Sequence, residues 1–353
     1  MNSKKYWIFD KSQKELEEYC TEKGFKKYNA EQIMRWIYSC RLFDFSKMTD
    51  IPKPLRENLA DNFNAALSEI IDTQYETDAG GSSKKYLIKF PDGGTIESVL
   101  ISYKNRKTLC LSSQIGCRMG CVYCETSGLG FTRNLTSGEI ISQILTVEND
   151  TGMGITNIVF MGMGEPLDNI EEVEKSLDII SNDKFIGIAP RKITVSTCGM
   201  LNVLSSLNFN EYRYKIAVSL NASDNITRSM LMPVNKKFPI ENLAALINGK
   251  KPSVHNKTTI EYVLIKGIND GIENAKKLIK MFSPAKVKFN LIPLNKEQNS
   301  IYLKNFERPD DAEVDNFKSK LAKAGFTVTV RFSKARSING GCGQLKAKTI
   351  NSR

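Results

Sequence analysis

The sequence predicts an α/β protein in which a partial (β/α)6 barrel follows a small N-terminal helical domain and a linking β-hairpin. The barrel is predicted because, after about residue 108, apolar runs of strand composition alternate with segments of helical period. The helical domain is predicted because helical periodicity fills roughly the first 70 residues. Two alternating segments on either side of a turn indicate the hairpin.

The N-terminal domain is assigned to residues 1–75. Apolar residues recur there with helical spacing, and Pro52 and Pro54 interrupt the pattern because proline cannot continue a helix. The predicted helices are Lys14–Glu22, Ala30–Cys40 and Leu55–Leu67.

The hairpin is assigned to residues 76–107 and connects this domain to the barrel. Lys84–Phe90 and Thr95–Ser102 both alternate between apolar and polar residues, and Pro91–Gly94 supplies turn residues between them. The barrel then takes residues 108–353.

The barrel strands and helices follow one another along the chain. Its first strand is Thr108–Ser112, and the later ones are Ile155–Met161, Lys192–Thr197, Tyr214–Leu220, Thr258–Lys266, Lys286–Ile292 and Phe326–Phe332. The predicted helices are Ser137–Asn149, Ile170–Ile180, Ile240–Leu246, Gly271–Phe282 and Asp310–Ala324. Right-handed crossovers in such a fold place the functional site at the carboxyl ends of the strands.

Composition indicates a polyanionic partner and no membrane. Lys and Arg total 50 against 39 Asp and Glu, and this net charge of +11 favours nucleic acid, although a basic surface can also serve solubility alone. No segment approaches the roughly 18 apolar residues of a membrane span. The N-terminus has no signal-peptide core, so we expect a cytoplasmic protein with reduced cysteines.

Three cysteines carry the strongest chemical signal. Cys117, Cys121 and Cys124 have the Cys-x3-Cys-x2-Cys spacing of radical SAM enzymes, in which three thiolates hold a 4Fe–4S cluster and leave one iron open for S-adenosylmethionine (SAM). A zinc site would need a fourth ligand, and the only histidine, His255, is remote in sequence. An electron-transfer ferredoxin would need a fourth cluster cysteine, which Cys198 or Cys342 could supply only through the fold.

Polar residues at the ends of later strands are candidates for binding SAM. Gly164 and Glu165 follow a predicted strand, where glycine permits close backbone approach and a carboxylate can receive the SAM ammonium group. Ser196 and the segment Ser219–Asn221 end the next two strands. Each could be an ordinary turn or capping residue, but their repetition at one edge favours a shared ligand.

The remaining cysteines divide into two groups. Cys110 lies on the strand before the cluster loop, and Cys342 lies between glycines that describe a mobile loop able to bring a thiolate to a small molecule. The others, Cys20, Cys40 and Cys198, are expected to be packing residues. On its residue pattern alone, Glu97 is expected to be an ordinary exposed strand residue.

Several motifs together resemble the RlmN/Cfr family of radical SAM RNA methyltransferases, and the resemblance covers nearly the whole chain. The cysteine triplet alone indicates only the superfamily, whereas the surroundings of Cys110 and Cys342 are specific to this branch. The matching segments are Tyr28–Ile33, Leu109–Gln114, Cys117–Cys124, Gly130–Leu135, Gly162–Pro166, Met232–Lys237, Asn290–Pro293 and Cys342–Leu345.

The resemblance implies a reaction that uses two SAM molecules. One methylates Cys342, and the second yields a radical that activates the S-methyl group for addition to an adenine carbon. A disulfide between Cys110 and Cys342 then resolves the protein–RNA adduct, with Glu97 in the position of the general base. The SAM contacts implied in the same way are Gly164, Glu165, Ser196, Ser219, Leu220, Asn221 and Asn295.

The implied partners are 23S rRNA, with tRNA as a second candidate, and a reduced flavodoxin or ferredoxin-type electron donor. The N-terminal domain and the barrel rim would hold the RNA, and the target base must be unstacked to reach the site. A monomer is expected.

The product and the substrate stay open between alternatives. The segments around Phe131 and Glu165 favour adenine C2, as in RlmN, over C8, as in Cfr. Asn221 replaces a histidine that is common in the family, and Ser337–Gly341 replaces an acidic segment. A divergent paralogue with another substrate, or a protein that uses its cluster for electron transfer or RNA sensing, are the alternatives.

Overall fold

The computed structural model describes residues 5–78, 81–207, 211–251, 257–294, 306–331, 338, 340–341 and 343–345. Its N-terminal part contains the helices α1 (Gln13–Glu22), α2 (Tyr28–Met34) and α3 (Lys53–Asn62), and the short parallel strands β1 (Tyr6–Trp7) and β2 (Phe63–Asn64). α2 continues as a π-helical turn over Arg35–Ser39. Their apolar faces form a core of their own, to which the barrel helix α5 (Ser137–Thr151) also contributes Ile141 and Leu145.

The third N-terminal helix is shorter than the sequence predicts. Its pattern was expected to continue to Leu67, but the chain becomes extended at Phe63, where φ is −121° and ψ is 153°. Phe63 begins β2, where it pairs with Tyr6 of β1, and its ring packs against that of Tyr19, with ring centroids 4.9 Å apart. Tertiary pairing therefore overrides the helical periodicity at this end.

Cys40, expected to be a packing residue, is exposed.

Most later strands join one sheet. In chain order, all the strands after β2 in the described ranges are β3 (Glu69–Asp78), β4 (Gly81–Lys89), β5 (Thr95–Tyr103), β6 (Arg106–Cys110), β7 (Gln114–Gly116), β8 (Phe131–Asn134), β9 (Asn157–Phe160), β10 (Ile193–Thr197), β11 (Lys215–Ser219), β12 (Thr258–Leu264), β13 (Val287–Pro293) and β14 (Val328–Val330). Strands β7 and β8 pair with each other. Within the described ranges the other ten form a single sheet in the order β14-β13-β12-β11-β10-β9-β6-β5-β4-β3.

The barrel part of this sheet confirms the predicted alternation of strands and helices. Strands β6 and β9 to β14 are parallel, and helices lie between them in sequence. The helices of this part are α4 (Glu125–Gly128), α5 (Ser137–Thr151), α6 (Ile170–Ser181), α7 (Leu201–Leu204), α8 (Asn225–Leu231), α9 (Ile240–Gly249), α10 (Ile272–Met281) and α11 (Asp311–Lys323). None of the helices in the described ranges has both the length and the hydropathy to cross a membrane.

The predicted hairpin is part of a larger antiparallel sheet. β4 and β5 pair as expected, but β5 also pairs with β6, so the hairpin extends the barrel sheet directly. A further strand, β3, pairs with β4 along its length. Sequence periodicity does not reveal β3, because residues 72–75 are all exposed and the strand has no buried apolar face.

The two faces of the sheet have different surroundings. Residues paired across neighbouring strands point to the same face, so the register assigns Lys85, Val99, Cys110 and Val159 to one face, and the parallel strands continue it through Ser196 and Ser219. We call this the inner face. On the barrel strands β6 and β9 to β12, the opposite, outer face carries buried apolar residues: Leu109, Ile158, Val195, Val218 and Ile260 are at most 1% exposed. Polar chemistry is thereby directed to the inner face.

Candidate active site

The three predicted cluster cysteines line one cavity at the carboxyl ends of the parallel strands. Their loop lies between β7 and α4, and the cavity has a volume of about 940 Å³ when its open mouth is included. Five of the residues expected to contact SAM also line it, namely Gly164, Glu165, Ser196, Ser219 and Asn221.

The chemistry of the cysteines fits an iron–sulfur cluster. Burial raises the pKa of Cys117 to about 12, and burial and the neighbouring thiols also raise the pKa of Cys121. The thiolate forms of Cys117 and Cys121 therefore need positive charge beside them, which iron supplies. Among the described residues, no three Cys, His, Asp or Glu side chains are grouped for a single metal ion. A cluster needs no such group, because each cysteine binds a different iron.

Glu165 is a buried carboxylate at the end of this cavity. Its Oε2 accepts a hydrogen bond from the Cys198 backbone N–H at 2.7 Å, and its Oε1 accepts one from the Leu167 N–H at 3.1 Å. Burial raises the pKa of Glu165, and these backbone donors partly oppose the increase. A buried carboxylate of this kind is stabilised by a cation, and the ammonium group of SAM is one that suits the cavity.

Gly164 gives the chain its close approach at this loop. Its φ is +98°, a backbone conformation that side chains disfavour, and an added Cβ would lie 2.6 Å from the Gln114 Cβ. Gln114 in turn accepts the Glu165 N–H at 2.9 Å and donates to Asp168 at 2.8 Å. Gln114 therefore holds the loop that carries Glu165 through hydrogen bonds to Glu165 and to Asp168.

We expect Gly164→Ala to weaken SAM binding by at least tenfold, because the methyl group must displace Gln114 and the positive φ is strained. Binding to the cluster-loaded, unreduced protein can be measured by calorimetry. Gly154→Ala is the matched control, because an added Cβ there meets no atom within 4 Å. Equal affinities for the two variants would contradict this account of the loop.

The strand-end residues differ in how they meet the cavity. Ser196 donates to the Phe160 carbonyl, and Asn221, with φ of +56°, accepts from the Val263 N–H at 2.8 Å and contacts the Tyr123 hydroxyl through Nδ2. Leu220 has a fully buried side chain that belongs to the apolar core. Its backbone N–H donates to the Glu261 carbonyl at 3.0 Å, so any ligand contact by Leu220 would use other atoms.

Glu97 and Cys110 are brought to the same face of the sheet. Cys110 is paired with Val99, and Glu97 stands two residues before Val99, so both side chains belong to the inner face. Diagonal neighbours of this kind lie about 7–8 Å apart. Glu97 is buried, and its carboxylate lies 3.1 Å from the Lys85 ammonium group. Its N–H donates to the Met163 sulfur at 3.3 Å, in the loop that also carries Glu165.

Three residues at or near the site were missed or underrated in the sequence. Cys198, expected to be only a packing residue, lines the cavity and holds Glu165, while Glu261 lies in the cavity wall and Lys85 pairs with Glu97. The alternation in β4 could have identified Lys85. It shares its face with Leu87, which pairs with Glu97 across the predicted turn.

Two predicted residues, Cys342 and Asn295, lie outside the described residues. The disulfide expected between Cys110 and Cys342 and the SAM contact of Asn295 therefore stay predictions. Described residues that follow Cys342 in sequence contact α4, the helix that follows the cluster loop. Gly343 lines the cavity, its carbonyl accepts from the Glu125 N–H at 2.8 Å, and the Leu345 carbonyl accepts from the Thr126 hydroxyl at 2.7 Å.

The fold and the cysteine loop define a radical SAM protein. Residues 111–279 match the radical SAM superfamily, whose members use SAM and a 4Fe–4S cluster. Residues 7–64 match a second family, described as the N-terminal domain of a ribosomal RNA large subunit methyltransferase. The helical module and the barrel are thus both matched.

The chain belongs to the RlmN family. It is 36% identical over 97% of both chains to a protein of Petrotoga mobilis named "Probable dual-specificity RNA methyltransferase RlmN". It is 40% identical to a protein of the same name from Carboxydothermus hydrogenoformans, over 97% of this chain and 98% of the relative. A crystal structure of a radical SAM methyltransferase from Sphaerobacter thermophilus superposes with a TM-score of 0.87 at 36% identity, covering 97% of this chain and all of that one.

Proposed function

We propose that the protein is an RNA methyltransferase that methylates C2 of an adenosine in 23S rRNA, with a tRNA adenosine as a second substrate. The full-length similarity to relatives named as dual-specificity RNA methyltransferases carries this proposal. The net charge of +11 suits a polyanionic substrate. Phe131 and Glu165 stand in segments that resemble the C2 branch of the family.

The cluster would be held by Cys117, Cys121 and Cys124, and SAM by the cavity residues with Glu165 at its ammonium group. When bound, the cluster and SAM supply the radical chemistry that activates an otherwise inert methyl group. This assignment of the cluster and SAM ligands is supported by the location of the three cysteines and Glu165 in one cavity.

Cys342 is the proposed methyl carrier. A thiolate accepts a methyl group readily, and Gly343 next to it in sequence lines the cavity. Once the methyl carbon is bonded to the adenine, the Cys110 thiolate attacks the Cys342 sulfur. The S–S bond forms as the carbon–sulfur bond breaks, and the released carbon takes a proton to become the methyl group.

Glu97 is the proposed general base. It would accept the proton that leaves the adenine carbon, and its inner-face location on the strand next to that of Cys110 supports this role. Glu97 on β5 would then accept the outgoing proton, and Cys110 on the neighbouring β6 would supply the attacking thiolate.

The proposed setting is a cytoplasmic monomer that receives electrons from a reduced flavodoxin or ferredoxin-type donor. The N-terminal domain would help to hold the RNA. A base in a stacked helix cannot enter the cavity, so the target adenosine would be unstacked first.

The test is anaerobic incubation of cluster-loaded protein with reductant, methyl-deuterated SAM and unmodified 23S rRNA or tRNA, followed by mass spectrometry of the nucleosides. We expect labelled 2-methyladenosine. Labelled 8-methyladenosine would contradict the proposed position, and the absence of both would contradict the proposed substrates. Heat-denatured protein is the control for methylation that does not require the enzyme.

A further inference from the structure

Lys85 is a buried cation beside the proposed general base. Its Nζ lies 3.1 Å from Oε1 of Glu97, and the side chains are only 8% and 7% exposed. A lysine this far from water is rare unless a partner matches its charge. Lys85 takes no part in the steps proposed above, but it contacts Glu97, the proposed general base.

The register of the sheet brings Lys85 to the reacting groups. Lys85 pairs with Val99, and Val99 pairs with Cys110, while Glu97 lies on the same face as all three. A cation, a carboxylate and a thiol therefore share the inner face on three adjacent strands. On the other side of Lys85, the paired residue of β3 is the uncharged Gln74.

The backbone of Glu97 is fixed independently of its side chain. Its carbonyl accepts from the Ser112 hydroxyl at 2.7 Å, and the same hydroxyl accepts from the Met163 N–H at 2.8 Å. Met163 also accepts the Glu97 N–H through its sulfur. These bonds locate the strand against the loop of Glu165, but they leave the direction of the carboxylate to contacts such as the one with Lys85.

We propose that Lys85 is a positioning residue that keeps Glu97 ionised and directs its carboxylate toward the reacting adenine. The inference rests on the proposed function, because Glu97 must act as the base. One proton passes from the adenine carbon to the carboxylate, and the electron pair of the C–H bond stays in the ring. Burial favours the neutral form of a carboxylate, whereas a neighbouring cation favours the ionised form, which can accept a proton.

The test uses the full-length, cluster-loaded protein and three readouts: 5′-deoxyadenosine released from SAM, covalent protein–RNA adduct on a denaturing gel, and methyladenosine. For Lys85→Met we expect 5′-deoxyadenosine to form, methyladenosine to fall by about 10²- to 10⁴-fold, as for loss of a general base, and adduct to accumulate. Lys85→Arg should restore most of the product, because it keeps the charge.

Lys84→Met is the matched control. Lys84 is the adjacent residue on the outer face, where its Nζ pairs with Asp150 at 2.7 Å. The Lys84→Met variant removes a lysine charge from the same strand as Lys85→Met does, and its product formation should stay unchanged.

A double variant separates positioning from a purely structural role. In a Glu97→Gln background, Lys85→Met should cause no further loss of product, because its target is already absent. This double variant removes both members of the Lys85–Glu97 ion pair, so it stays informative if Lys85→Met alone fails to fold.

Normal product formation by Lys85→Met, or a further tenfold loss in the Glu97→Gln background, would overturn the inference. Failure of the proposed function gives a different result, since the wild-type protein itself would then form no methyladenosine. That outcome would remove the proton transfer on which the role of Lys85 depends, and it would overturn both.

Discussion

Cys117→Ala should abolish cluster binding and, with it, all cleavage of SAM. Two remaining thiolates cannot hold a cluster that needs three protein ligands. The expected result is loss of bound iron and of the visible iron–sulfur absorption after anaerobic reconstitution. No 5′-deoxyadenosine should form with reductant and SAM.

Cys40→Ala is the control for this experiment. Cys40 is exposed and belongs to the N-terminal part rather than the cysteine loop, so the variant should bind iron like the wild type. If Cys117→Ala kept its iron and cleaved SAM at the normal rate, the assignment of the cluster to this loop would be wrong.

Cys342→Ala should eliminate methyladenosine formation while SAM is still cleaved. The variant lacks the thiolate that would carry the methyl group, whereas the cluster cysteines and Glu165 are unchanged. Chromatography of nucleosides and of 5′-deoxyadenosine from the same reaction measures both steps. We expect no detectable methyladenosine, compared with stoichiometric product from the wild type.

Cys110→Ala gives the contrasting result that distinguishes the two thiols. It retains the methyl carrier but cannot form the resolving disulfide, so the protein–RNA adduct should accumulate, whereas Cys342→Ala should form none. Unchanged methyladenosine from Cys342→Ala would exclude it as the carrier.

The barrel was predictable because its strands are apolar and short. Each predicted strand from Ile155 to Ile292 overlaps an observed one, and the ends differ by a few residues because the pattern does not mark where pairing stops. β3 was not predictable, since its exposed polar residues carry no periodic signal. The predicted end of α3 was wrong because the chain after Asn62 pairs with β1, and this tertiary contact leaves no signal in the local sequence pattern.

The candidate site divides in the same way. The cysteine triplet was proposed from its spacing alone, and the Gly164–Glu165 segment from its location after a predicted strand in a chain that carries the triplet. Lys85 and Cys198 act through partners far away in the chain, Glu97 and Glu165, so their roles required the register and the fold. Leu220 was proposed from family resemblance, and its side chain lies in the core.

The two consecutive lysines of β4 show what fixes the register of this strand. If β4 slipped by one residue, Lys84 would take the inner face and Lys85 the outer one, so a cation would still stand on each side. Tyr86 and Ile88, both completely buried on the outer face, would however be turned inward, and the 2.9 Å hydrogen bond from Tyr86 to Asp150 would break. The aromatic and aliphatic anchors, rather than the charges, therefore specify which lysine meets Glu97.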